Sequence, residues 1–456
     1  MYISDTIAAI STPVGEGGIG IIRVSGENAR KIAGFIFVPH KSGGLKSHRF
    51  YYGRIINPAD GTCLDEAMVV LMLAPKSYTA EDVLEIQCHG GYLVVQKILE
   101  LVLRQGARLA EPGEFTKRAF LNGRLDLVQA EAVIDVIRGK TEAALALAQH
   151  QREGLLSRKI ADIKEGIAES LALIESCLDF PEEDIEFAGN AEITNLVGNS
   201  LEGIDTLLRG YSEGKLLREG VSVLIAGKPN VGKSSLLNTL LKEKRSIVTS
   251  VPGTTRDIIE EVVNIKGLPV KMLDTAGIRE ARDEIEQEGV RLALEKIPLA
   301  DLVLFVMDAS RTFDSEDLLL LDAVEGKAVL VVINKCDLPV ILSLPPEFSA
   351  WQTVEISTAT GYGIDKLCNQ IYATFFHGDA VDAREYVAVS LARQRDVLIR
   401  SADSLRTFIK NFNEGLNLEL VAVDLRDALN AVGELTGETT ADDILDLIFQ
   451  RFCIGK

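Results

Sequence analysis

Histidine and tryptophan are scarce in this chain, five and one respectively among 456 residues, and cysteine is sparse and scattered. The six cysteines, at 63, 88, 177, 336, 368 and 453, form no C-x-x-C pair. That spacing excludes a disulfide framework and argues for reduced thiols in a cytosol. Histidines without clustering argue against a zinc site. No apolar run approaches the ~18 residues that a membrane helix needs; the longest are strand-length, such as Leu302 to Met307. The start, Met1 to Asp5, lacks a basic segment, so no secretory signal is expected, and the chain reads as cytoplasmic with no membrane partner. Basic residues are in deficit, 48 against 67 acidic, a formal net charge of −19. Broad nonspecific binding to nucleic acid is therefore disfavoured, because phosphate-dominated affinity needs a basic surface. A local patch stays open: Arg104, Arg108, Lys117, Arg118 and Arg124 are either such a patch or ordinary solvated charges. Internal repeats and low-complexity tracts are missing too. With 47% hydrophobic and 25% charged residues, what remains is a globular composition, and the length predicts about two to four domains.

The most informative segment that is present runs from Gly227 to Ser234, reading Gly-Lys-Pro-Asn-Val-Gly-Lys-Ser directly after the apolar run Val221 to Ala226. A buried strand leading into a glycine-rich turn and then a helix is the arrangement that presents several backbone N–H groups to one phosphate chain. Lys233 is placed to reach the β- and γ-phosphates, and the Ser234 hydroxyl to ligate Mg²⁺. Three further pieces follow in the order a guanine-nucleotide switch requires. Gly253-Thr254-Thr255-Arg256-Asp257 lies after Pro252, where a loop supplying a threonine hydroxyl to Mg²⁺ belongs. Asp274-Thr275-Ala276-Gly277 follows the strand-like Val270 to Leu273; its aspartate suits water-bridged Mg²⁺ and its glycine N–H the γ-phosphate. Asn334-Lys335-Cys336-Asp337 ends the apolar run Ala328 to Ile333, and Ser357-Thr358-Ala359 follows a further strand, Thr353 to Ile356. The Asp337 carboxylate is a two-acceptor fork that matches the N1–H and N2–H₂ edge of guanine. Adenine offers no such paired donors, so the nucleotide is expected to be GTP.

Two positions depart from the Ras-like pattern. Ile278 stands where a glutamine would orient the attacking water. The acidic stretch Asp283 to Glu288 either supplies a substitute or is simply the solvated first turn of a helix, where carboxylates suit the dipole. Asn230 lies inside the phosphate loop, where its amide oxygen could ligate a monovalent cation in the place of an arginine finger.

Around this unit the pattern changes. Residues 1–118 alternate strand-like runs (Ile19 to Val24, Glu66 to Leu73, Val83 to Gln87) with turns and an apolar helix from Tyr92 to Leu103, which predicts an α+β domain. From Phe120 the period is helical, with Leu125, Val128, Ala132, Val133, Val136 and Ile137 expected on one face, and a further helix spans Ile193 to Leu208. Helical patterns are expected to resume at Val387-Ala388-Val389 and to continue through Arg393 to Ile409, Leu418 to Val432 and Ala441 to Phe452. Long helices on both sides predict a nucleotide-binding domain inserted within one helical domain. The expected divisions are 1–118, 119–216, 217–380 and 381–456.

With these pieces the chain resembles the MnmE (TrmE) family of tRNA uridine-modification GTPases over its whole length. The marks are Asp5-Thr6-Ile7-Ala8-Ala9, Gly17 to Gly26, Glu81 to Glu85, Pro112-Gly113-Glu114-Phe115, Ala119 to Leu127, the GTPase motifs, and the final Cys453-Ile454-Gly455-Lys456. The resemblance implies a multi-domain α/β architecture: an N-terminal α+β folate-binding-like domain that dimerises, an all-α helical domain, and an inserted Ras-like P-loop GTPase domain. It implies a homodimer working with the flavoprotein MnmG, in a heterotetramer-type complex, on the wobble uridine of certain tRNAs. A 5-formyl- or methylene-tetrahydrofolate cofactor would be held by Arg23, Glu85, Arg124 and Lys456. Members often carry lysine at the third of these, so Arg124 keeps the charge and changes the donor geometry. The nucleotide would meet Asn230, Val231, Gly232, Lys233, Ser234 and Ser235, then Thr249, Ser250, Val251, Pro252, Gly253, Thr254 and Thr255. Asp274, Thr275, Ala276 and Gly277 would follow, with Asn334, Lys335, Asp337, Ser357, Thr358 and Ala359 at the base. The resemblance also implies Mg²⁺ on Ser234 and Thr255, and K⁺ on Asn230, Thr249, Val251 (through its carbonyl) and Thr254. Glu286 would orient the water beside Lys233 as the catalytic pair.

Cys453 reads either as a nucleophile or redox thiol beside the folate site, or as a small hydrophobe anchoring the last helix next to Phe449 and Phe452. A switch of another class, binding RNA or ribosomes without catalysis, would call for a basic extension after the GTPase unit, and the segment after Ala383 is acidic instead.

Overall fold

The computed structural model describes residues 5–13, 15–41, 43–179, 190–244, 261–273, 296–324, 326–345, 351–376 and 387–456. The first unit is a seven-stranded sheet of β1 (Ile7–Ile10), β2 (Gly17–Ser25), β3 (Phe37–Pro39), β4 (Phe50–Ile56), β5 (Cys63–Met72), β6 (Val83–Gly90) and β7 (Arg108–Leu109), in the order β3-β4-β5-β6-β2-β1-β7. Strands β4 and β6 alternate more and less buried positions because one face is covered there, whereas β1 is buried on both faces. Helices Ala29–Ile36 and Tyr92–Arg104 cover that face, packing Ile32, Ile36, Ile98 and Val102 onto Ile22, Val24, Val69 and Ile86. The outer face leaves Phe50, Tyr52 and Met68 exposed, with Tyr52 and Met68 directly opposite across the β4–β5 ladder.

The second sheet comprises β8 (Val221–Ala226), β9 (Glu261–Ile265), β10 (Leu268–Leu273), β11 (Leu302–Asp308), β12 (Val329–Asn334) and β13 (Gln352–Glu355). The order is β13-β12-β11-β8-β10-β9, parallel except for the β9–β10 hairpin. Its central strands are near-continuous apolar runs because helices lie on both faces. Strand β8 sits between β10 and β11, at the point where the strand order reverses, so the crevice beyond its carboxyl end is where an α/β sheet binds a ligand.

Helices Leu155–Asp179 and Asn190–Arg209 precede this sheet, and Ala392–Asn413 and Leu418–Thr436 follow it. All four contribute to one core, in which Ile160, Ile167, Val197 and Ile204 meet Leu398, Leu405, Leu425 and Val432. The nucleotide-binding fold is therefore inserted within a helical domain. Helix Leu127–Arg138 staples both chain crossings. Glu131 receives Arg393 and Gln394, and Asp135, one turn on, receives the Nε of Arg218 at 2.8 Å from each carboxylate oxygen. Burial pushes the Asp135 carboxyl up against the pull of Arg218.

Some expectations shift. Helix Leu127–Arg138 turns Glu131, Ile134 and Asp135 inward and leaves Ile137 exposed. Paired carboxylates can occupy a core position that an apolar pattern assigns elsewhere. Residues 387–390 are not helical; Ala388 and Val389 are buried in an irregular segment against Gly214, where the Gln151 amide donates to the Ala388 carbonyl at 2.8 Å. Helices Glu114–Leu121 and Tyr211–Glu219 run across the divisions expected at 118/119 and 216/217.

Candidate functional site: a phosphate loop and a C-terminal tail

After β8 the backbone must curl, and two glycines permit it. Gly227 (φ +146°) lies so close to β11 that a Cβ would overlap the Val306 carbonyl oxygen. Gly232 (φ +100°) would overlap the side-chain amide of Asn334 in the same way. Between them Asn230 adopts φ +62°, a left-handed conformation that asparagine tolerates better than most residues. Helix Lys233–Lys244 then starts, with Ser234 and Ser235 exposed at its N-terminal turn. The Lys233 ammonium donates to the carbonyls of Gly227 and Lys228, both at 2.7 Å. Burial pushes this lysine down to about 8.

Bound polyphosphate would draw the Lys233 pKa back up, so nucleotide binding takes up a proton wherever the free lysine has lost one. The sign follows directly: affinity is fully present below about 8 and falls as pH rises through that value. Calorimetry of GDP binding at pH 8.5, in buffers of different ionisation enthalpy, is expected to register fractional proton uptake. Zero uptake at that pH would contradict a depressed lysine.

The base side is tied to the same loop. Asn334, fully buried at the end of β12, donates through Nδ2 to the Val231 carbonyl at 2.9 Å and accepts through Oδ1 from the Thr358 N–H at 3.1 Å. Lys335 donates to the Asn230 carbonyl at 2.8 Å and to Asp308 Oδ2 at 2.7 Å. Burial acts to raise Asp308, but hydrogen bonds from Lys335 and Ser310 outweigh it and hold the carboxyl below the usual carboxylate range. Asp337 is exposed and fork-like, oriented by the buried Ser357, whose hydroxyl donates to Oδ1 at 2.6 Å; Ala359 is exposed two residues on. Sequence reasoning missed Asp308. Its signal was a lone carboxylate ending an apolar strand, in register with Asn334. Thr249, Ser250, Val251, Pro252, Gly253, Thr254, Thr255, Asp274, Thr275, Ala276, Gly277 and Glu286 lie outside the described residues.

A second constellation forms where the end of the chain returns to the first sheet. Phe449 and Phe452 are buried against Leu127, Ala130 and Ile134 and carry the tail there. Gly455 (φ +91°) approaches β1 so closely that a Cβ would lie 2.5 Å from the Ile10 carbonyl oxygen. Its own carbonyl accepts from Arg23 Nη1 and from Ser11 Oγ, each at 3.2 Å. Arg23 and Glu85 face each other across β2 and β6 and pair at 2.9 Å. Lys456 ends beside them; burial, and then the Arg23 charge, push its ammonium down. The Arg124 guanidinium lies 5.1 Å from the Tyr78 ring centre and that of Arg23 5.5 Å from it. Arg124 also donates to the Tyr78 carbonyl at 2.5 Å. Tyr78, Asn122 and Arg124 line a cavity of about 640 Å³. Arg23, Glu85 and Lys456, far apart in sequence, thus meet, and Arg124 is linked to them through the Tyr78 ring, which both guanidinium groups approach and which was not anticipated. Two cations beside one carboxylate, Arg23 and Lys456 at Glu85, suit an anionic ligand that also presents hydrogen-bond donors. Cys453 is exposed, so Phe449 and Phe452, and not the thiol, do the anchoring.

Three of the five residues of the candidate basic patch are compensated by carboxylates. Arg118 is buried among Asp5, Glu81 and Glu114, Arg108 pairs with Asp5 and Glu114, and Lys117 with Asp446. Charges spent on these carboxylates do not form a surface for phosphates. Among the described residues no helix is long and apolar enough to cross a membrane.

Two family models match the chain. A family model described as the MnmE helical domain matches residues 127–453, and one described as the GTP-binding protein TrmE N-terminus matches 6–124. The tRNA modification GTPase MnmE of Geotalea uraniireducens is 65% identical over 456 residues, covering 100% of both chains. Its counterpart in Geobacter sulfurreducens is 62% identical, again over 100% of both. A crystal structure of Aquifex aeolicus Era bound to GDP and AlF4⁻ is 29% identical, covering 40% of this chain and 66% of that one at a TM-score of 0.26.

Proposed function

This chain belongs to the MnmE family of tRNA modification GTPases, and from that premise we propose a K⁺-activated hydrolysis of GTP coupled to modification of a wobble uridine. It is a GTP-binding enzyme that splits GTP to GDP and phosphate in the service of tRNA modification. The phosphate loop from Asn230 to Ser235 is the seat of the triphosphate, and Asp337 with Ser357, Thr358 and Ala359 reads guanine. Ser234 and Thr255 would hold Mg²⁺. Asn230, with an exposed side chain beside a cavity of about 520 Å³, would hold K⁺ together with Thr249, Val251 and Thr254. That ion would supply positive charge where no arginine finger is available. Glu286 orients the water that Ile278 cannot.

At the second constellation, Arg23, Arg124 and Lys456 would bind the carboxylates of a 5-formyl- or methylene-tetrahydrofolate, and Glu85 its ring donors. The folate would supply a one-carbon unit. With the flavoprotein MnmG as partner, the product is an aminomethyl-type group on carbon 5 of the wobble uridine, made in the cytoplasm. Homodimerisation through the first sheet is supported by its uncovered apolar face around Phe50, Tyr52 and Met68. The exposed Cys453 stands near Arg23 and Lys456 as a candidate nucleophile. Exposure favours that role over packing.

The observation that carries the reading is the return of the chain end to Arg23, which makes the tail part of a site rather than a loose terminus. It is tested by analysing wobble uridines in tRNA from cells lacking this protein. Loss of the C5 substituent, restored by the parent chain and not by an Arg23→Ala form, is the expected result. Intact wobble uridines in the deletion strain would sink the proposal.

A further inference from the structure

The phosphate loop is pinned from outside at three points, and known sequence motifs account for only two. Asn334 holds the Val231 carbonyl and Lys335 the Asn230 carbonyl, both from the guanine-reading loop. The third pin is Lys228. Its side chain is one-tenth exposed, and its ammonium lies 2.7 Å from Asp314 Oδ2 and 2.7 Å from Asp317 Oδ2. Asp317 is itself almost fully buried, in the first turn of helix Ser315–Ala323, and accepts the Asp314 N–H at 3.2 Å. Asp314 in turn accepts the Glu316 N–H at 3.0 Å, so the carboxylate pair is built into the start of that helix. Lys228 is thus a cation in a phosphate-binding loop whose charge is engaged by two carboxylates. Its carbonyl, meanwhile, accepts from the Lys233 ammonium at 2.7 Å.

We propose that Lys228 is a positioning residue for GTP binding: clamped between Asp314 and Asp317, it fixes the leading arm of the phosphate loop and the carbonyl that orients Lys233. The geometry explains why a buried ion pair sits here. Such pairs contribute little net stability against an apolar replacement, but they define one arrangement of the groups they join. Asn230 holds a left-handed backbone without being glycine, and a conformation of that kind persists only where its flanks are over-determined. The right flank is secured by Asn334. On the left, Gly227 is packed under β11 and has no side chain, so Lys228 is the nearest residue able to anchor that arm.

Binding of fluorescent GDP and GTP analogues and steady-state GTP turnover would be measured on the full chain. Lys228→Met is expected to weaken both nucleotides equally, by about 10- to 100-fold, because apparent affinity falls with the fraction of loops held in the binding-competent arrangement. KM should rise with kcat changed far less, because the clamp acts on the cradle and not on the water. Lys228→Arg should recover most of the affinity. Lys228→Met leaves Asp317 buried without its partner and could unfold the domain, so the paired variant Lys228→Met with Asp317→Asn is the decisive one. It should regain the melting temperature and stay weak in nucleotide binding. Parent-like affinity in Lys228→Met, or affinity in the paired variant that returns in step with its melting temperature, would overturn the positioning role.

Discussion

Replacing Asp337 by asparagine is expected to weaken GTP binding by about 10³-fold, because one charge-assisted hydrogen bond of ~1.5–3 kcal/mol is lost, the other loses its charge, and a donor is left facing a donor. The carboxylate accepts through both oxygens; in asparagine one oxygen still accepts, while the amide nitrogen donates and would face the donating N2–H₂ of guanine. Xanthosine triphosphate, which carries a carbonyl where guanine carries its amino group, should bind the variant better than GTP. The structure makes the test clean. Ser357 donates to Oδ1 from a buried position, and an asparagine carbonyl can accept that same hydroxyl, so the loop keeps its shape while the edge changes its polarity. Competition binding with the two nucleotides decides it: unchanged preference for GTP would show that Asp337 does not read the base.

The second large effect concerns the cation. GTP turnover measured in K⁺ and in Na⁺ of equal ionic strength should differ by about 10²-fold, the scale set by removing one stabiliser of transition-state charge. Na⁺ is too small to be held by the same oxygen set without drawing the loop inward. Asn230 is already fixed on its main chain by Lys335 and cannot follow freely. Nucleotide affinity should be almost the same in both salts, since the phosphates are cradled by the loop itself. Equal turnover rates would remove the K⁺ mechanism while leaving GTP binding and the family assignment intact.

Much of the fold was legible because its signals are local. Val221 to Ala226 followed by the glycine-lysine loop identified β8 and its turn to the residue, since a buried parallel strand is apolar throughout and only glycine fits the curl. Helices Tyr92–Arg104 and Leu418–Thr436 followed from helical periodicity in the same way. Helix Leu127–Arg138 was misjudged in its facing because its inward carboxylates, Glu131 and Asp135, answer to arginines some 262 and 83 positions away. Val387 to Val389 looked helical but was claimed by packing against Gly214.

The candidate sites divide along the same line. Composition and spacing by themselves determined that a guanine nucleotide is the ligand and that the GTPase unit interrupts a helical domain, and they carry the proposal that Lys233 and Asp337 meet that nucleotide. These properties reside in short segments whose geometry is set by neighbouring residues. Only the tertiary structure decided that Asp308 holds the Lys335 that grips the phosphate loop, that Arg118 is spent on buried carboxylates, that Lys228 is clamped, and that Arg23 and Arg124 both approach the Tyr78 ring. Each of those pairs depends on where distant chain segments cross, and charge or aromaticity in a sequence carries no record of its partner.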